Sequence, residues 1–435
     1  MPNKKSNYFS TFFPEFDRIK QSVIAAARQD GPGRPPKMHA EDIIAGLAWH
    51  VIQPSGTFAH NMGVLTRKYL SDSALSERRQ SLGTDPWKDA LCATLRPLAD
   101  QKLHPGAFYK GLRLVGVDGT TLNVGNTPAM RTQRTKTRSR RGRAAFFRIN
   151  CAALFELGTH SPQAVMIGEH DESESALAAS VVDGLSEEDL LIADRYYGNG
   201  KWAARLMNMS KQPLFLLRVQ ERLKAVTIER LRDGSRLIAV NDPDSTMPIL
   251  LREVKGRVRK PGKKWVKVRF WTNLLDALRY PANELIALYA MRWEQEIAFR
   301  EIKEHLHDVP ILQSHTPVTA TQEICALFMA QALICRARSA AGVGNSAPIM
   351  QVSYQKTLDA CRNICWIVSL PGVNLSPKQI TAIFNAVGDD LARQLSPPRR
   401  NRSCPREVRQ PINKWPRLIK NVYEKGKIQY EVRKS

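Results

Sequence analysis

The chain reads as a mixed α/β protein, with helical regions flanking a stretch in which strands and helices alternate. Three observations lead to this reading. The apolar periodicity changes from helical to extended near residue 106 and returns to helical after residue 310. Two apolar runs, GLRLVGVDG (111–119) and DLLIADRYYG (189–198), each carry an aspartate at their carboxyl end, Asp118 and Asp194. The segment YAMRWEQEIAFREIK (289–303) places Tyr289, Arg292, Glu296 and Lys303 within about 60° of one another at roughly 100° per residue, while Leu288, Met291, Ala298, Phe299, Ile302 and Leu306 collect on another face. Taken alone, such a helix is either an ordinary amphipathic segment with Glu–Arg and Glu–Lys pairs at helical spacing, or one that docks its apolar face on a core and turns a carboxylate among cations and a phenol toward a cleft.

With 435 residues, 43% of them apolar, the chain can bury a sizeable core in two or three domains. A formal charge of +24 and a pI near 9.9 point to a polyanionic partner, nucleic acid before a membrane surface. No apolar run is expected to reach the roughly 20 residues that span a bilayer, and MPNKKSNYFSTFFPEF lacks a signal-peptide pattern, so a cytoplasmic protein with no membrane partner is expected. The seven cysteines lack paired C-x-x-C spacing and read as buried thiols of a reducing compartment. Cys361 and Cys365 lie one helical turn apart, but no histidine or further cysteine is spaced to complete a zinc site with them. His305 and His307 read as surface histidines.

Residues 1–105 form the first unit, helical from about residue 10, with breaks at GPGRPP (31–36) and at Pro54 and Gly56. Within it, residues 56–70 and 71–83 read as two short amphipathic helices with a Ser71-Asp72-Ser73 cap between them. They form either a helix-turn-helix, presenting Ser73, Ser76, Glu77, Arg78 and Arg79 to a groove, or a helical hairpin with a charged outer face. Strands at 111–119, 144–157 and 163–170 then make a meander, followed by a helix (173–185), the strand before Asp194, a helix (200–208) and a strand (213–219). Three strands, helix, strand, helix, strand is the order of a ribonuclease-H-like core, whose first part is residues 106–220.

Between the first two strands lies RTQRTKTRSRRGR, which contains Arg138, Arg140 and Arg141. Like charge at this density does not pack, so a mobile loop contacting phosphates is expected. Residues 221–281 stay extended and interrupt the core as a β-rich insertion, with Arg257, Arg259, Lys260, Lys263, Lys264, Lys267 and Arg269 interleaved with Trp265 and Trp271. That composition suits backbone contact plus base stacking, with core packing the competing role for at least one tryptophan. Residues 282–310 supply the last core helix, 311–395 a helical carboxyl-terminal region, and 396–435 a Pro-rich basic tail.

Asp118 and Asp194 end strands that would be neighbours in such a sheet, and Glu296 arrives from the later helix. Three converging carboxylates make a hard-oxygen site for two divalent ions, Mg²⁺ or Mn²⁺, suited to phosphodiester hydrolysis or transesterification. Gly198-Asn199-Gly200-Lys201, followed by Trp202, lacks the remaining features of a P-loop.

The pattern Y-x(2)-R-x(3)-E-x(6)-K, filled by Tyr289, Arg292, Glu296 and Lys303, resembles the signature of bacterial DDE transposases of the insertion sequence 4 family. VDGTTL (117–122), IADRYYGNGKW (192–202) and TNLLDALRYPANELIALYAMRW (272–293) are similar to that family's motifs, and SDSALSERR (71–79) to its DNA-end-binding domain, so the likeness spans nearly the whole chain. The resemblance implies that Asp118, Asp194 and Glu296 bind two metal ions, that water cuts the ends of the element, and that the freed 3′-hydroxyls join target DNA. It also implies that Tyr289, Arg292 and Lys303 hold terminal phosphates, that a tryptophan such as Trp265 or Trp271 stacks on a flipped base, and that a homodimer pairs two ends of double-stranded DNA. Where the family often has Asp-Arg-Gly, this chain has Asp194-Arg195-Tyr196-Tyr197-Gly198, which implies a different local turn. The alternatives are a nuclease without strand transfer and an inactive DNA-binding relic. The first needs neither the insertion nor the end-binding unit, and the second would be marked by a lost acid, yet all three are present.

Overall fold

A computed structural model describes residues 38–397, apart from positions 54, 67, 134, 135, 137, 140, 141, 170, 171, 243, 244, 246, 259–264, 308, 371, 372 and 374. It opens with helices α1 (Ala40–Ile52), α2 (Phe58–Thr66), α3 (Asp72–Ser81) and α4 (Asp85–Thr94). The Ser71 hydroxyl caps α3 by accepting from the Ala74 amide at 3.2 Å, as the serine-rich junction predicts. The presenting face of α3 differs from expectation. Ser73, Ser76 and Glu77 are exposed, but Arg79 turns inward and donates to the Gln322 side chain (3.2 Å) and the Thr319 carbonyl (3.1 Å).

The partner of these helices is α10 (Pro317–Gly344), 28 residues long, which starts on a Thr316 capping box with Pro317 in the first turn. Its length and composition would let it cross a membrane, contrary to the expectation that no run is that apolar, yet 94% of its most apolar window is buried inside the protein. It is the axis of a helical layer, against which α1, α4, α11 (Tyr354–Ser369) and α12 (Pro377–Arg393) pack. The described cysteines are unpaired thiols; Cys92 is exposed, against expectation, and Cys404 lies outside the described residues. His307, expected at the surface, is largely covered and faces Glu323 at 3.6 Å.

The strands form one large mixed sheet. In chain order they are β1 (Phe108–Tyr109), β2 (Leu112–Val124), β5 (Phe147–Glu156), β6 (Pro162–Ile167), β7 (Asp189–Ala193), β8 (Leu214–Arg218), β9 (Val226–Arg230), β10 (Arg236–Val240), β11 (Ile249–Val258) and β12 (Val266–Thr272), while β3 (Arg138–Ser139) and β4 (Gly142–Arg143) pair apart from it. The spatial order is β6-β5-β2-β7-β8-β12-β11-β10-β9, with β1 beside β2. β7 is parallel to β2 and to β8, and the other pairings are antiparallel. Parallel pairing requires crossovers, which α6 (Glu174–Val182) and α7 (Gly200–Met207) supply. The strand bearing Asp118 runs on to Val124 instead of stopping near Gly119, because β5 pairs with it along its length.

Residues 221–281 continue this sheet, since β12 hydrogen-bonds to β8 with Trp271 opposite Leu217. Both faces of the sheet are covered there, so Trp271 is 1% exposed and packs with Trp202, Ile238 and Leu251. This corrects its assignment to DNA. Arg269 is likewise internal, paired with Glu253 and donating to the carbonyls of Gln220, Glu221 and Leu223. Arg257 and Lys267 remain exposed, and Arg259, Lys260, Lys263 and Lys264 lie outside the described residues. Of the Arg-rich segment, the described residues include the end of α5 (Pro128–Gln133) and the paired strands β3 and β4.

The signature segment is not one uniform helix. It runs as α8 (Ala282–Leu288), a 3₁₀ turn (Tyr289–Arg292), α9 (Trp293–Arg300) and a π turn (Glu301–Leu306). A buried ionic cluster pins it between the sheet and α10. His160, in the β5–β6 turn with φ of 61°, faces Glu301 through Nδ1 (2.8 Å) and Glu294 through Nε2 (2.9 Å), and Arg338 of α10 approaches Glu301 at 3.5 Å. Burial by itself lowers the imidazole pKa, but Glu301 and Glu294 outweigh it and raise the net value. Burial by itself raises Glu301, and His160, Arg338 and Gln331 bring it below its ordinary value.

A raised histidine contributes stability that is complete below its unfolded pKa and lost as pH rises through the folded one; a depressed glutamate contributes stability that is complete above its unfolded pKa and lost as pH falls through the folded one. Both contributions are therefore full between the ordinary values, 4.5 and 6.5. Chemical unfolding across a pH series should show a plateau in that window and a decline on the alkaline side. His160→Asn, which tolerates the left-handed backbone, should be about 3–5 kcal/mol less stable, as for a broken buried ion pair, and should lose the alkaline decline. A variant that retains the parent pH profile would remove the cluster from this role.

Candidate active site

The parallel pairing of β2 with β7 sets the geometry. Gly116 lies opposite Ile192, so two residues further on Asp118 is level with Asp194, and equal offsets put both side chains on the same face. Neighbouring strands are about 4.8 Å apart, so the two carboxylates are crowded together where β7 ends. Asp118 Oδ1 accepts from the Gly119 amide at 2.9 Å. Asp194 Oδ1 accepts from the Tyr196 amide at 2.7 Å, and Asn199 then caps α7 through the Trp202 amide at 3.1 Å. These two bonds shape the turn over Asp194–Gly198. Gly198 is required in it, since a Cβ there would fall 1.7 Å from the Arg218 carbonyl oxygen.

Helix α9 lies on the Asp118 face of the sheet. Gln295 is buried, its Nε2 donating to the Ala153 carbonyl at 3.2 Å, and Ala153 is the β5 partner of Asp118. Gly116 makes room for it, because a Cβ there would meet Gln295 Oε1 at 2.7 Å. The next residue is Glu296, whose Oε1 accepts from Arg292 Nη2 at 2.7 Å while its side chain stays 43% exposed. Arg292 also interacts electrostatically with Asp118 and Asp194. Tyr289 is buried on Phe270 (ring centroids 4.7 Å), with the Arg218 and Arg292 guanidinium groups 5.9 and 6.0 Å from its ring centre. Half-buried Lys303 feels Asp118, and burial nonetheless carries its ammonium below the ordinary range.

The structure thus gathers Asp118, Asp194, Arg292 and Lys303, and it holds Glu296 at the margin through Arg292. It adds Glu174, the first residue of α6, which the sequence reading did not single out. Asp118 is pushed up to about 7, by burial first, then by Glu174 and Asp194, against the Gly119 amide and Arg292. Among the described residues no group of three or more His, Cys, Asp or Glu is close enough together to hold a metal ion as it stands. The donor set still fits a divalent cation. Its ligands are hard carboxylate oxygens, and their mutual repulsion at Asp118 is what a cation offsets.

Of the other expected DNA contacts, Arg138 lies in the β3–β4 ribbon, and Arg140 and Arg141 lie outside the described residues. Trp265 is 54% exposed, with the Arg257 guanidinium 5.4 Å from its ring centre, whereas Trp271 is in the core. Trp293, which the sequence reading did not single out, is 46% exposed beside Arg292.

The family model described as "Transposase DDE domain" matches residues 109–333. The transposase InsG for insertion sequence element IS4 of Escherichia coli (strain K12) is 23% identical over 383 residues, covering 86% of this chain and 85% of that protein. A cryo-EM structure of the piggyBac transposase synaptic complex with hairpin DNA aligns with 87% of this chain and 84% of that one, at 9% identity and a TM-score of 0.42.

Proposed function

The chain belongs to the DDE transposases of the insertion sequence 4 family, metal-dependent enzymes that cut and join DNA, and on that footing we propose how its residues divide the work. The core formed by residues 106–220 and 282–310 is ribonuclease-H-like. Support comes from the order β6-β5-β2-β7-β8, in which a three-stranded antiparallel meander is followed by two strands parallel to its first. Residues 221–281 are an insertion that lengthens the sheet, residues 1–105 bind the element's terminal repeats, residues 311–395 are a helical support, and 396–435 a basic tail.

The observation that carries this assignment is the level, same-face placement of Asp118 and Asp194, with Arg292 and Lys303 facing them. Asp118, Asp194 and Glu296 would hold two Mg²⁺ or Mn²⁺ ions, which when bound stabilise the attacking and leaving oxygens of an in-line displacement. Among the described residues, Glu296 is held by its ion pair with Arg292. Such an i, i+4 pair at a partly exposed position contributes about 0.3–0.5 kcal/mol. A terminal phosphate offers the guanidinium a bidentate partner, so Arg292 exchanges carboxylate for phosphate and releases Glu296 toward the aspartates. Lys303 takes a second phosphate, and the buried Tyr289 ring fixes the angle at which Arg292 works.

Positioning is the larger part of what these residues contribute, because a DNA end held in line with the carboxylates reacts as if intramolecular. Exposed Trp265 is the tryptophan placed to stack on a displaced base. The substrates are the element's own double-stranded ends and a target duplex, paired by a homodimer in the bacterial cytoplasm.

Asp118→Ala, Asp194→Ala and Glu296→Ala should each abolish Mg²⁺-dependent cleavage of the element's ends while leaving end binding within a few-fold. Any of the three still cutting at the parent rate would remove that residue from the set. Arg292→Ala and Lys303→Ala should weaken the end complex and each lower the slope of log affinity against log salt by about one unit. Unchanged slopes over a salt titration would show that neither side chain contacts phosphate.

A further inference from the structure

Tyr196, in the turn that follows Asp194, is an aromatic residue that is 48% exposed and yet firmly held. Its backbone is fixed on both sides. The amide donates to Asp194 Oδ1 at 2.7 Å, and the carbonyl accepts from Asn199 Nδ2 at 3.2 Å. Its ring stands at the outer end of a column of aromatics that leads into the core. The Tyr196 and Tyr197 ring centroids are 5.2 Å apart with planes at 82°, those of Tyr197 and Trp202 are 5.0 Å apart at 78°, and Tyr197 and Trp202 are both buried. Tyr197 is locked in turn by its hydroxyl, which donates to Glu174 Oε1 at 2.8 Å.

A single exposed apolar side chain ordinarily calls for no explanation. The turn, however, makes no use of this ring, because the bonds that Tyr196 contributes to it come from the backbone. Edge-to-face contact is a favoured geometry for aromatic pairs, so the column holds the outermost ring in one orientation. A flat group laid against it therefore costs little further side-chain entropy. The position favours such a group. The Tyr196 amide is bonded to the Asp194 carboxylate itself, so the reach from that carboxylate to the ring is comparable to the reach from a phosphate to its own base. Exposed Arg195 and Lys201, on either side of the turn, add positive charge suited to a nucleic acid strand.

Resting on the active-site reading above, we propose that Tyr196 is a base-stacking residue, whose ring packs on a nucleobase next to the phosphate addressed by Asp118 and Asp194. Stacking uses the π face that every base has, so this contact accepts any sequence. It also complements the phosphate contacts of Arg292 and Lys303. Those fix where the strand lies, and a stacked base fixes its rotation, which sets the line of attack on the phosphorus.

The test uses the full chain and duplexes carrying the element's end, with 5-iodouracil in place of one base, on the element side of the scissile phosphate in one duplex and on the flanking side in another. This base photocrosslinks to an aromatic ring stacked on it, and peptide mapping locates the bond. One of the two duplexes should crosslink at Tyr196, which also identifies the side from which the base comes. In Tyr196→Phe the crosslink at that position and the single-turnover cleavage rate in Mg²⁺ should match those of the parent. Tyr196→Leu keeps the amide that serves Asp194 and an apolar contact for Tyr197, so its thermal unfolding should be unchanged; it should lose the crosslink and cut about 5-fold more slowly or worse. No crosslink at Tyr196 with either duplex, or parent-like cleavage in Tyr196→Leu, overturns the proposal. If Asp118→Ala fails to cut in the same assay, the three-acid reading stands without it; if Asp118→Ala cuts at the parent rate, both fall together.

Discussion

The constraint on which the rest depends is the repulsion between carboxylates brought level by the parallel pairing of β2 and β7. Asp118 and Asp194 are placed by backbone hydrogen bonds that neither side chain controls, and the register leaves them about one strand spacing apart. Four nearby groups answer that crowding. The Gly119 and Tyr196 amides each donate to one aspartate, Arg292 reaches toward both, and Lys303 brings a cation to Asp118. The arrangement is poised for more positive charge than the protein itself supplies, as expected of a site that receives metal ions and works on phosphate.

Holding such a site requires rigid supports on both faces of the sheet. On one face α9 is keyed by Gln295 into the space left by Gly116 and is tied through Glu294 and Glu301 to His160 and Arg338. On the other, α6 and α7 pack Leu177, Val181 and Leu206 against Val115 and Val117 of β2. The ionic cluster costs desolvation and is weak evidence for stability by itself. What it supplies is registry, since it meets the sheet, the signature segment and α10 at one point, so that the carboxylate from α9 arrives at a defined depth.

The basic charge of the chain divides by location. Arg79, Arg252, Arg269 and Arg338 are internal and satisfy carbonyls or carboxylates, so they belong to the fold. Arg257 and Lys267 on the strands that lengthen the sheet are exposed, with Trp265 at the same edge. Extending the sheet from β8 makes the mount of those side chains continuous with the strand that leads to Asp194, consistent with the DNA contact proposed for them.

Much of this was legible in one dimension. Alternation of apolar residues marked the strands, serine and asparagine marked helix starts, and the spacing of Tyr289, Arg292, Glu296 and Lys303 marked the segment that faces the aspartates, because these features depend on local periodicity and capping. Other features depend on which surfaces meet, and local pattern cannot report that. The tryptophan of VKVRFWT became core because β12 joined β8 in the middle of a sheet. The apolar run of α10 became the axis of a helical layer because four helices cover it. The uniform helix expected at 289–303 became 3₁₀, α and π turns in succession, through which Tyr289 packs on Phe270 and Glu301 meets His160. Glu174, a helix-start glutamate in the sequence, came to lie beside Asp118 only through the crossover after β6. The sequence by itself determined the chemistry, which acids and cations are present and on which elements they sit. The tertiary structure alone decided which of them share a site, because strand register and crossover geometry set distances between residues far apart in the chain.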